Sequence, residues 1–74
     1  MIQRKTLMNG IKDEKMGIIF YSTLARLADT DEDKRLYLHI ASQEREHLRI
    51  LEHKLKTFTE RKGQTNFNKN IWEL

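Results

Sequence analysis

Between Leu7 and Ala28 the apolar residues return every three or four positions, at Leu7, Ile11, Ile18, Tyr21, Leu24 or Ala25, and Ala28, with polar residues between them. That period is helical rather than the alternation of a strand, and it predicts a helix over about 7–28. Ala28-Asp29-Thr30-Asp31 breaks the pattern and supplies side-chain oxygens. Thr30 with Asp33 three residues on has the spacing of a capping box, and Asp31, Glu32 and Asp33 complement a helix N-terminus. A second helix is expected over about 31–61, with Leu36, Tyr37, Ile40, Ala41, Leu48, Leu51, Leu55 and Phe58 as its apolar set. Arg61 and Lys62 suit its C-terminal dipole, and Gly63 suits the residue just past its end.

Two long helices joined by a turn of two or three residues must pack antiparallel. Each still has one broad apolar side uncovered, and a second hairpin would cover it. The fold expected is therefore all-α: an antiparallel two-helix hairpin over residues 1–63 that dimerises into a four-helix bundle. Residues 64–74 form a polar tail carrying Phe67, Ile71, Trp72 and Leu74. They are expected to strap the bundle end or contact another subunit, since Trp anchors interfaces well; the alternative is a docking peptide for another protein.

Composition narrows the ways such a hairpin can be stable. A chain of 74 residues is short enough to bury only about 60% of its unfolded surface, so it needs a staple or a partner. Disulfides and thiolate metal sites are excluded, because there is no cysteine. Metal binding through His and carboxylate, self-association, or both, remain. The longest uncharged run, Met16 to Ala25, is far below the ~20 residues of a membrane span. Met1-Ile2-Gln3-Arg4-Lys5 leads into no apolar signal segment, so a cytoplasmic location is the expectation. A net charge of +3 permits a basic helical adaptor or nucleic-acid module. Yet Lys12, Lys15, Arg26, Lys34, Arg45 and Arg49 are interspersed with acids, and nucleic acid is not indicated as a partner.

Three ionisable residues fall where the core is expected. On the second helix the seam runs Tyr37, Ile40, Glu44, His47, Leu51, Leu55, Phe58; on the first it runs Leu7, Glu14, Tyr21, Ala28. Across a hairpin turning near Thr30, facing residues have numbers summing to about 60. Glu14 then meets Glu44 and His47, with Leu7 facing Leu51 on one side and Tyr21 facing Ile40 on the other. Glu44 and His47, at i and i+3, share a helix face. Burying such carboxylates costs several kcal/mol (roughly) unless something compensates them. A two-fold dimer would gather four carboxylates and two imidazoles, matching the charge of two divalent cations. Oxygen-rich sites with two imidazoles suit iron or manganese, with zinc as a competitor.

The residues that carry this chemistry also carry a resemblance. Glu14 through Tyr21 is an E-x6-Y motif and Glu44-Arg45-Glu46-His47 is an E-x-x-H motif, and both resemble the rubrerythrin branch of the ferritin-like superfamily over residues 7–58. The resemblance implies a di-iron carboxylate centre that handles ferrous iron, dioxygen or peroxide. It implies Glu14, Glu44 and His47 as ligands; Glu44, central on the seam, is expected to bridge, and Tyr21 is expected either as a core aromatic or to hydrogen-bond a ligand carboxylate. The chain holds one half-site, and half-length chains of this kind resemble the encapsulated ferritins, whose subunits pair and then form rings. Two iron ions per dimer are expected, with manganese or zinc as substitutes.

The resulting expectation is a ferroxidase-type oxidoreductase that oxidises Fe(II) at a centre shared between two subunits. A peroxide reductase fed by an external donor is the alternative, and the lack of cysteine removes the rubredoxin iron site of peroxidase-active rubrerythrins. Partners are a second copy, extending to a ring. The tail lacks the Leu- and Gly-containing peptide of encapsulin cargo, so a nanocompartment shell has no support in it. Gly17 costs about 1 kcal/mol inside a helix and either is tolerated or lets the helices approach and small molecules enter beside the metals. Met8 and Met16 are expected to fill the core or an interface. Glu46, His39 and His53 are expected at the surface.

Overall fold

A computed structural model describes residues 2–65, and the side chains of 3–60. It contains two helices, α1 (Ile2–Leu27) and α2 (Asp31–Thr65), folded against each other as a hairpin. No strand occurs among the described residues. The molecule measures 59 × 16 × 11 Å, one helix pair wide and one helix thick, given a helix diameter of about 10 Å. No described helix is long and apolar enough to cross a membrane.

The turn forms as its residue types dictate. The Asp33 N–H donates to Thr30 Oγ1 at 3.1 Å, and the Lys34 N–H donates to the Thr30 carbonyl at 3.0 Å. Thr30 is thus the N-cap of α2, with Asp31, Glu32 and Asp33 in its first turn. At the other side the Ala28 N–H closes a tighter turn on the Ala25 carbonyl. Three residues between helices leave no freedom to pack other than antiparallel.

The helix ends differ from the sequence expectation. α1 begins five residues before Leu7, and α2 continues through Gly63 to Thr65. The apolar period marks only where the helices touch, whereas helix-forming residues such as Gln3, Arg4, Lys5, Arg61 and Lys62 extend each helix beyond the contact. Gly63 therefore lies inside α2. The expected strap residues Phe67, Ile71, Trp72 and Leu74 lie outside the described residues.

A pair of helices has a seam, not a core. Ala25 and Ala41 are the buried apolar residues, and no large side chain is fully buried among those described. Small residues at these two points let the helices approach. Met8 and Met16 are exposed rather than core, and so is Leu36. Met8 and Leu36 sit at the margin of an apolar stripe whose centre meets the other helix, and Met16, about 200° round α1 from Glu14, points away from α2.

Candidate metal centre

Glu14 projects from the middle of α1 toward α2, two turns from Leu7 and two from Tyr21. Opposite it, one helical turn of α2 presents Glu44 and His47. The short turn fixes the register, and the contacts report it: Gly10 lies opposite Leu51, and Gly17 opposite Glu44. The three expected ligands therefore converge. Their candidate donor atoms all lie within 4.8 Å of one another. His47 Nδ1 stands 3.7 Å from Glu14 Oε2 and 3.5 Å from Glu44 Oε1, too far for good hydrogen bonds and nearly equidistant from both.

Exposure divides the site. The Glu14 and Glu44 side chains retain 22% and 23% of their surface, while His47 retains 57%. The carboxylates are thus shielded in the seam and the imidazole opens the site to one side. Glu14 Oε1 is buried with no hydrogen-bond partner, an arrangement that costs stability in a protein interior. The Glu14 carboxyl is held above the ordinary carboxylate range. Hydrogen bonding to Glu44 contributes most, then loss of solvent, then the like charge of Glu44; His47 opposes these, and Asp13 adds a small push upward. Asp13 belongs to no motif, and only its place beside Glu14 brings it in.

These properties fit a cation. An ion binding two carboxylate oxygens and one imidazole nitrogen at about 2.1 Å places them about 3.0–3.4 Å apart. The observed separations from His47 need only a small contraction. A cation would also satisfy the orphaned Glu14 oxygen and oppose the lost solvation and like charge that hold its carboxyl up.

The remaining residues take other places. Tyr21 packs edge to face on Phe20, with ring centroids 5.1 Å apart. Among the described residues its hydroxyl makes no hydrogen bond to Glu14 or Glu44. Glu46 is exposed and bonded by Arg49 at 2.6 Å, and that guanidinium holds its carboxylate below the usual range. His39 and His53 are exposed, apart from the cluster.

A helical hairpin with Glu on one helix and Glu-x-x-His at the same level of the other defines a class, the ferritin-like carboxylate metal-binding domains. The sequence matches the Rubrerythrin family over residues 5–73, and the chain belongs to that family. The match extends past residues 7–58 into the tail. Membership points to a di-iron carboxylate protein with an iron- or redox-related role, and the Glu14–Glu44–His47 group could hold the metal. No curated protein and no solved structure matches the chain.

Proposed function

We propose that this chain is a ferroxidase-type protein, and that two hairpins close over their His47 sides to form one di-iron centre. The observation that carries the reading is the site's position. Glu14, Glu44 and His47 meet at one level, and they open onto a side of the hairpin that carries several exposed large apolar residues. In an antiparallel pair, three-residue steps rotate both helices toward the same side, from Glu14 to Gly17 to Phe20 and from Glu44 to His47 to Ile50. Leu27 and Leu36 lie along the same side. Phe20, Leu27, Leu36 and Ile50 are 57%, 64%, 52% and 55% exposed, an unusual loss for large apolar groups unless they meet a partner. The opposite side is the more basic, with Lys15, Arg26, Arg45 and Lys56 each following an inward-facing residue and exposed, and Ile19 and Leu38 are exposed among them.

Two hairpins joined in this way bring four carboxylates and two imidazoles together, and two Fe(II) ions balance that charge. Iron held there would supply one-electron chemistry: two Fe(II) would give two electrons to dioxygen, which with two protons becomes hydrogen peroxide, leaving two Fe(III). The chain's own residues set the conditions. Glu14 and Glu44, shielded from water, favour the higher charge of Fe(III). Glu44 faces both Glu14 and His47, which supports taking it as the carboxylate the two ions would share. His47 supplies a neutral nitrogen, and the apolar side excludes bulk water. Tyr21 would hydrogen-bond a ligand carboxylate only in the assembled centre, since it makes no such bond in the single hairpin.

Anaerobic loading with Fe(II) followed by air tests the proposal. A rapid ferric absorbance rise is expected, and E44A should slow it at least tenfold. An equal rate in E44A would end this reading. If hydrogen peroxide oxidises the loaded protein far faster than dioxygen, peroxide reduction replaces ferroxidation as the function.

A further inference from the structure

The geometry points to Gly17 as a positioning residue of the metal centre: its missing side chain is the space in which the Glu44 carboxylate lies. This rests on the reading of Glu44 as a ligand. Gly17 sits deep inside α1 in ordinary helical backbone, so no turn and no left-handed conformation calls for glycine there. The position forgoes helix propensity that alanine would restore. The compensating feature lies across the seam. A Cβ at Gly17 would collide with Glu44 Oε2, and it would lie 3.2 Å from Glu44 Cδ and 3.6 Å from Cγ. All three neighbours belong to one side chain.

That side chain is flexible, so an added methyl would not break the hairpin. Glu44 would swing away and the fold would survive. The casualty is the carboxylate's place between Glu14 and His47. Gly10 makes an internal contrast in the same helix. Its added Cβ would come 3.3 Å from Leu51 Cδ1, an apolar contact with no ligand involved. Gly17→Ala and Gly10→Ala thus raise helix propensity alike, but only the first touches a metal-binding group.

Four variants read by two measurements decide the matter: G17A, G10A, E44D and G17A/E44D, assayed by Co(II) titration and by thermal melting of the metal-free protein. Wild type and G10A should bind Co(II) within about threefold of each other. G17A should bind at least tenfold more weakly, with an altered Co(II) d–d spectrum, yet melt at or above wild type when metal-free. E44D shortens the ligand and withdraws it from Gly17. Adding G17A to E44D should therefore cost less than threefold. The proposal is overturned if G17A binds Co(II) like wild type with an unchanged spectrum. It is equally overturned if G17A/E44D loses as much again as G17A alone, or if G17A melts far below G10A, which would make Gly17 a packing residue. Wild type that binds no Co(II) would instead overturn the metal-site reading itself, and this one with it.

Discussion

Glu14 concentrates the chemistry of the site in one side chain. Its carboxyl is held above the ordinary range by the hydrogen bond to Glu44, by shielding and by like charge. A carboxyl raised in the folded state favours folding while it is protonated, and that contribution is lost as pH rises through its folded pKa. The metal-free protein should therefore lose stability as pH climbs out of the acidic range. E14Q, neutral at every pH, should remove that loss. Melting curves in excess chelator from pH 4 to 8 are expected to show E14Q overtaking wild type toward neutrality. With Fe(II) bound anaerobically the order should invert, because the substitution deletes a ligand. A wild-type-minus-E14Q difference that stays flat with pH would remove Glu14 from this role.

At the scale of the helices, the turn sets everything that follows. Thr30 accepts from the Asp33 N–H and so fixes where α2 begins, which fixes the register that brings residue 14 opposite residues 44 and 47. T30A should cost about 1 kcal/mol, the usual magnitude for a lost N-cap, and T30D should retain most of that. Urea denaturation of the metal-free protein measures both. A T30A midpoint equal to wild type would mean that packing alone sets the register. The helix termini behave differently, since nothing is packed beyond the seam and propensity alone carries α1 back to Ile2 and α2 on to Thr65.

For the whole molecule the governing fact is that, in a structure 11 Å thick, Ala25 and Ala41 are the only buried apolar residues among those described. Hydrophobic stabilisation on this scale is small, so association and metal binding should be coupled to folding. One metal per chain and two per dimer are expected. A ligand at 100 times its Kd stabilises the form that binds it by about 2.7 kcal/mol. Chelation should lower the Tm and shift sedimentation toward monomer, and H47A should reproduce much of both effects without chelator. Phe20→Asp, which alters no ligand, should weaken association and metal binding together. A metal-free protein that remains equally stable and associated would leave only the family and the hairpin standing.

The sequence by itself determined the two helices, the turn and the level at which Glu14, Glu44 and His47 meet. These follow from local rules: a 3.6-residue period, a capping threonine, and a turn too short to permit more than one register. It also carried the family, because E-x6-Y and E-x-x-H are spacings along single helices. Rotation was beyond it. An apolar stripe about 100° wide does not say which of its edges meets the other helix, so the exposure of Met8, Met16 and Leu36 and the open side at His47 emerged only when the helices were packed. The helix ends were hidden as well, because the apolar period records contact rather than helix. Gly17 shows the remaining difference most clearly. In the sequence it is a weak point of a helix; in the folded chain it is the gap that holds a carboxylate, because only tertiary packing sets an absent atom against Glu44.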